Sequence, residues 1–263
     1  MATGAGYVRE AEISAVSLRA HHPAATICLI TDAPGRKAAP PFDHVMIRAD
    51  VNHNTADKLL SIEAPYDRIV FLDTDTHICG PLDELFDVLD RFDFAMLLEN
   101  NRGWHYELPG VPLCYPEYNS GVIVFRRTPD VHKLFADWRV NYDLMRAQQG
   151  IKEDQSSLRK VLYFSGLRVA VLPSEYHFLC NVPNYIMWKA NLIHGRGDLP
   201  AIAAQVNSEL GPRAYLPFVG VMRGYLGRRN WLRTLLRISW RMFIALVRSP
   251  KDPSLLNPGR WWL

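Results

Sequence analysis

Apolar residues in this chain fall into short β-branched or aromatic runs separated by segments of helical period. The runs within "ATICLITD", "HVMIRA", "RIVFLDTD", "DFAMLLE", "NSGVIVFRR", "RVAVLP" and "NLIHGRG" predict strands. Between them, residues 10–20 predict a helix with Ile13, Val16, Ser17 and Ala20 on one face, closed off by His21-His22-Pro23. Residues 54–63 predict a second helix, capped by Asn54 or Thr55 and stopped before Pro65. A third opens at Pro81 with Leu82, Leu85, Phe86 and Leu89 as its apolar positions, and two more span 131–146 and 154–162. This alternation predicts an α/β domain with a mostly parallel central sheet, where ligands gather at the carboxyl ends of strands. Asp32 and Asp73 both fall at such ends.

The strand at 68–72 runs into Asp73-Thr74-Asp75. Side chains alternate along an extended chain, so Asp73 and Asp75 point one way and Thr74 the other. Two converging carboxylates repel unless a cation lies between them. Hard oxygen ligands suit Mg²⁺ or Mn²⁺.

Length and composition, 263 residues with 48% hydrophobic and 22% charged, describe an ordinary globular chain. Cys28, Cys79, Cys114 and Cys180 form no CxxC pair, which argues against a structural zinc site and offers no disulfide framework. A reducing, cytoplasmic setting is expected. No signal-peptide pattern opens the sequence, and no uninterrupted apolar stretch of about 18 residues is present for a membrane span.

Four segments, "YDRIVFLDTDTHICGPLDELFD", "YNSGVIVFRR", "EDQSSLRKVLY" and "NLIHGRG", resemble in order and spacing the motifs of GT-A-fold (Rossmann-like) nucleotide-sugar glycosyltransferases, nearest to the glycogenin and lipopolysaccharide galactosyltransferase group. The resemblance runs from about Thr3 to Gly197. It implies a Mn²⁺ (or Mg²⁺) held by Asp73, Asp75 and His194 and gripping the diphosphate of a UDP-sugar donor. "ATGAGY" matches the family's first loop, which nominates Thr3 and Tyr7 beside the nucleotide, with Asp32 at the neighbouring strand end; packing is the alternative for Tyr7. Lys58 matches a basic position that reaches the diphosphate. Asn119 matches a position that hydrogen-bonds sugar hydroxyls, with Gly121 allowing close approach. Asp154 and Gln155 match the sugar-contacting pair beside the anomeric carbon, with Glu153 an extra carboxylate; Asp154 could equally cap the following helix. The nearest relatives retain anomeric configuration, and Trp104, His105 and Tyr106 are candidates to stack on an acceptor. The family also has a first strand preceding Ala2, of which this sequence holds almost none.

The resemblance ends near Gly211. Net charge is +3, yet nine basic residues and no acidic one lie between Arg213 and Lys251, leaving 21 basic against 27 acidic residues elsewhere. Leu232, Leu235, Leu236, Trp240, Phe243, Leu246 and Val247 follow helical spacing beside Arg233, Arg237 and Arg241. The expected division is a catalytic domain over 1–212 and a basic amphipathic extension over 213–263, which suits an anionic membrane surface and a glycan or lipid-linked acceptor. The extension could instead dock on the domain, and no nucleic acid partner is expected. Two alternatives remain: a haloacid-dehalogenase-type Mg²⁺-dependent phosphatase, whose motif disagrees at His77, and a non-catalytic nucleotide-sugar-binding protein.

Overall fold

The computed structural model describes residues 1–99, 106, 108–223 and six positions beyond them, 235, 236, 239, 240, 243 and 244. Twelve strands and five α-helices are assigned among the described residues. In chain order they are α1 (Ala5–His21), β1 (Cys28–Thr31), β2 (His44–Ile47), β3 (Arg68–Leu72), β4 (Thr76–Ile78), α2 (Glu84–Asp87), β5 (Phe94–Leu98), β6 (Tyr118–Arg126) and α3 (Pro129–Gln149). Then come α4 (Gln155–Ser165), β7 (Val169–Val171), β8 (Phe178–Leu179), β9 (Asn184–Ile186), β10 (Leu192–His194), α5 (Leu199–Asn207), β11 (Arg213–Leu216) and β12 (Gly220–Arg223). The expected helix at 54–63 is a 3-10 helix, Thr55–Glu63, whose Asn54 cap shares a reciprocal capping box with Asp57.

The main sheet has the order β3-β6-β5-β7, and β1-β2 form a separate parallel pair. β6 runs antiparallel to both its neighbours, whereas β5 and β7 are parallel. The fold is thus mixed α/β, and among the described strands β1-β2, β5-β7 and β8-β10 pair in parallel. Alternation along β6 explains the core. Ile123 and Phe125 join Trp138 and Tyr142 of α3 in one apolar cluster. Val122 and Val124 join Leu82, Leu85 and Leu89 in another. All four β6 side chains are 0% exposed, so this strand is covered on both faces.

Three expectations need correction. The buried face of α1 is Val8, Ala11, Ser14, Ala15 and Ser17, while Ile13 and Val16, expected on the apolar face, are exposed on nearly the opposite side of the helix. Phe86 is likewise exposed, although Leu82, Leu85 and Leu89 are buried. Residue 213 opens β11, which pairs with β9 and β12, so the described folded unit continues to 223 rather than pausing at 212. Arg213 is accordingly not part of a basic surface: it is 1% exposed and donates to the carbonyls of Met187, Trp188, Val206 and Gly211.

Most of the amphipathic extension lies outside the described residues. Those described there, Leu235, Leu236, Trp240 and Phe243, are exposed, and the rings of Trp240 and Phe243 stack 6.0 Å apart. No helix among the described residues is long and apolar enough to cross a membrane.

Candidate metal centre and its surroundings

β3 ends at Leu72, and the Asp73 amide still donates to the Gly121 carbonyl at 2.8 Å, which fixes the first carboxylate against β6. After the turn, β4 pairs antiparallel with β10 and places Thr76 opposite His194. One ligand atom each from Asp73, Asp75 and His194 then lies within 4.8 Å of the others. His194 Nε2 stands 3.3 Å from Asp75 Oδ1 and 4.0 Å from Asp73 Oδ2. The expected alternation holds, since Thr74 faces away and its hydroxyl donates to Glu10 at 2.9 Å.

Three residues that the sequence did not single out shape this corner. His177, fully buried, meets His194 Nδ1 through its Nε2 at 2.8 Å. With Nδ1 so engaged, His194 Nε2 is turned to the carboxylate side, as in metal sites whose histidine is oriented by a second partner. Burial and the neighbouring His194 hold the His177 pKa well below the usual histidine value, so its ring is neutral. Arg196 Nε lies 3.2 Å from Asp75 Oδ2, and its Nη1 reaches Glu10 at 2.5 Å. Burial works to raise the Asp75 pKa, but the hydrogen bond and charge of His194 with the charge of Arg196 outweigh it and hold the carboxyl below its ordinary range.

Gly121 has a packing reason of its own. A Cβ there would lie 2.1 Å from His194 Cε1, so only glycine leaves room for the imidazole against β6. Asn119 is committed within the protein: its Nδ2 donates to Glu99 at 2.7 Å and its Oδ1 accepts from the Gly121 amide at 2.9 Å. It therefore braces the start of β6 beside Gly121, against which His194 packs.

A second polar cluster lies behind the first. Lys58 Nζ is 3.4 Å from Asp73 Oδ2 and 3.7 Å from Asp154 Oδ1, and it donates to the hydroxyl and carbonyl of Ser120 at 3.0 and 3.2 Å. Burial alone would lower the Lys58 pKa, but Asp154 and Asp73 raise it above its ordinary value, so the ammonium stays charged. Asp154 is 1% exposed; burial pushes its pKa up against the opposing charge of Lys58. The Ser120 hydroxyl donates to Asp154 Oδ1 at 3.0 Å, while Oδ2 has no hydrogen-bond partner, and neither has Gln155 Oε1. Asp154 does not cap α4 with its side chain.

Around the first loop, the Gly4 amide donates to Asp32 Oδ1 at 2.9 Å, and a φ of 88° at Gly4 makes that turn into α1 possible. Thr3 is partly exposed and Tyr7 is 51% exposed. On the opposite flank, fully buried Arg159 donates to the carbonyls of Tyr106, Pro112 and Tyr115 at 3.2, 3.0 and 3.0 Å, pinning that loop to α4. Trp104 and His105 lie outside the described residues.

No protein-family model matches this sequence, and no curated protein matches it. Solved structures do. An active-site mutant of LgtC is 15% identical over 74% of this chain and 86% of its own, with a TM-score of 0.51. The galactosyltransferase LgtC in complex with donor and acceptor sugar analogs is 13% identical over the same shares, with a TM-score of 0.49. The glycosyltransferase GlyE of Streptococcus pneumoniae TIGR4 is 15% identical at a TM-score of 0.50; the match takes in 96% of this chain but only 64% of that one. At such identities the likeness speaks to the fold alone, and the fold of this chain is of the GT-A type.

Proposed function

We propose that the protein is a metal-dependent glycosyltransferase that moves a sugar from a nucleotide donor, UDP-linked, to a glycan or lipid-linked acceptor. The observation that carries this is the convergence of Asp73, Asp75 and His194 within 4.8 Å, on a GT-A framework. Two carboxylates and an imidazole are a fitting donor set for Mn²⁺, and the carboxylates alone would also serve Mg²⁺. A divalent ion there supplies Lewis-acid stabilisation of a departing nucleoside diphosphate.

The chain's own residues support this in distinct ways. Asp73 and Asp75 provide the anionic charge, His177 holds His194 Nε2 toward them, and Gly121 makes room for the ring. Lys58 balances Asp73 and Asp154 from behind. Asp154 and Gln155 are the proposed sugar-contacting pair, with retention of configuration as the proposed outcome; Asp154 Oδ2 and Gln155 Oε1 are buried and have no hydrogen-bond partner within the protein. Thr3, Tyr7 and Asp32 form the proposed nucleotide edge. The phosphatase alternative rests on the Asp-x-Asp motif alone. The same two carboxylates sit here with a histidine in a GT-A framework, which favours sugar transfer.

The test is UDP release from a panel of UDP-sugars, with Mn²⁺ and with EDTA, for the wild type and Asp75→Asn. One donor should turn over, with loss of activity in EDTA and a fall of about 100-fold or more in the variant. Tight UDP–Mn²⁺ binding with no turnover of any donor, even with added acceptors, would instead mark a non-catalytic binder; absence of binding would sink the proposal. The anomeric configuration of the product, read by NMR, tests retention.

The basic run from Arg223 to Lys251 is the proposed membrane contact, supported by the exposure of Leu235, Leu236, Trp240 and Phe243. Each surface cation contributes about 1 kcal/mol at an anionic leaflet. Flotation with phosphatidylserine vesicles should carry the full chain at low salt and release it at high salt; indifference to vesicle charge would defeat this.

A further inference from the structure

The three-stranded sheet of β9, β11 and β12 is apolar on both faces, but only one face joins a core cluster. Residues directly opposite one another on neighbouring strands share a face. Ile186 of β9, Tyr215 of β11 and Val221 of β12 belong to the inner face, where they pack with Phe178, Ala203 and Val206. Tyr185, Ala214 and Met222 stand opposite one another on the outer face, and Leu216 follows Ala214 at the two-residue step that keeps it on the same side. Tyr185 is 57% exposed, and Ala214, Leu216 and Met222 are each partly exposed. Apolar exposure continues at one end of the sheet, where Trp188 is 66% exposed and Met187 and Leu210 are exposed as well. The Met187 carbonyl accepts from the Gly211 amide at 2.9 Å and the Trp188 carbonyl from Arg213 Nη2 at 2.6 Å, which ties these two segments together. Large apolar side chains gathered in this way on a surface mark a contact site.

Charge indicates what meets this face. Residues 176–197 and 210–223, which hold all three strands, contain no Asp or Glu, although the chain carries 27 acidic residues; Asp198 and Glu209 lie just outside the two segments. Lys189 is exposed next to Trp188. After β12 the chain passes directly into the basic run proposed above as a membrane contact, so the apolar face and that run are consecutive. Trp, Tyr, Met and Leu clear of acidic groups and followed by a cationic segment suit the boundary between lipid headgroups and acyl chains.

We propose that the outer face of this sheet is a second membrane contact, a folded apolar surface that enters the headgroup region of a bilayer alongside the basic run. The proposal rests on the membrane reading of that run and adds to it a rigid contact. A tether alone leaves a domain free to tumble, whereas a tether and a rigid face set its tilt. Residues 187–191 join β9 to β10, the strand that carries His194, so the contact holds the carboxylate–histidine corner at a fixed height above the lipid.

The test is partitioning of the full chain onto vesicles of phosphatidylcholine, with and without phosphatidylserine, at low and high salt. Trp188→Ser with Tyr185→Thr removes two exposed rings from the face, and Arg237→Gln with Arg241→Gln weakens the basic run. Ile13→Gln with Val16→Gln removes exposed apolar area from α1 as a control. Attraction to anionic lipid is screened by salt, and apolar insertion is not. The sheet variant should bind about tenfold more weakly at both salt concentrations, with the salt dependence of the wild type. Trp188→Ser alone, outside any strand, should give an intermediate loss with the Tm of the wild type. The arginine variant should show a shallower salt dependence, and the α1 variant should bind as the wild type does. Undiminished binding by the sheet variant beside weakened binding by the arginine variant would overturn the proposal and leave the basic run as the sole contact. Equal losses in the sheet and α1 variants would overturn it too. No wild-type binding to any vesicle would sink both membrane readings. Tighter binding by the sheet variant would assign the face to the chain's own segment after residue 223, and a concentration-dependent dimer lost in that variant would assign it to a second copy; either result refutes the proposal. None of these readouts depends on transferase activity.

Discussion

The two carboxylate clusters differ in how their charge is balanced. Asp73 and Asp75 have side chains 29% and 19% exposed, with His194 at 13%, and they meet at a corner open to solvent. Asp154, at 1% exposure, is closed off and meets an internal cation, Lys58. A buried carboxylate has to be paired by the chain itself, because desolvation penalises its ionised form; a partly exposed pair can be left for an ion from solution. Lys58 links the two, lying 3.4 Å from Asp73 and 3.7 Å from Asp154.

The sharpest way to break the comparison is Lys58→Met, which strands Asp154. We expect a loss of about 3–5 kcal/mol in denaturant unfolding. Adding Asp154→Asn should restore most of it, since both members of the pair are then neutral. A single variant near wild-type stability would show that Asp154 is already protonated and the two clusters are alike. At the open corner the balance should reverse. Asp73→Asn and Asp75→Asn should weaken Mn²⁺ binding about 100-fold by calorimetry, while changing unfolding free energy by less than about 1 kcal/mol.

His177 separates the two regions through pH. Its folded pKa is depressed relative to the unfolded value of 6.5, so the unfolded state takes up a proton first. The neutral ring's contribution is complete above about pH 6.5 and is lost progressively as pH falls below it, with a limiting slope of about 1.4 kcal/mol per pH unit. Tm between pH 7.5 and 5 should fall in the wild type and fall less in His177→Gln. The same variant should lose about tenfold in Mn²⁺ affinity, because His194 is no longer held in one orientation. The smallest effect belongs to Arg196→Ala. Its side chain is 57% exposed, so stability should move by less than about 1 kcal/mol. Mn²⁺ affinity should rise a few-fold as a competing cation leaves Asp75.

Much of the frame was legible because it is local. Runs such as Arg68–Leu72 and Phe94–Leu98 announced strands by composition, and the same-face placement of Asp73 and Asp75 follows from the pleat. Short pieces escaped: β8 has two residues and β9 three, too few to show any period. The stripe on α1 was misjudged because Ser14 is buried through a hydrogen bond to Thr76 at 2.7 Å, while Ile13 and Val16 are exposed. Polar residues that find distant partners look like a solvent face in the sequence.

The site divides along the same line. Sequence by itself determined where the strands end and which carboxylates stand together, since both depend on chain geometry over a few residues. The spacing from Asp75 to His194 carries no geometric information; the antiparallel pairing of β4 with β10 does, and it brings the imidazole to 3.3 Å. Tertiary structure alone decided that Gly121 makes room for that ring, that His177 fixes its orientation, and that Lys58 serves two acids rather than one. These depend on desolvation and on contacts between elements far apart in the chain, and no local pattern encodes either.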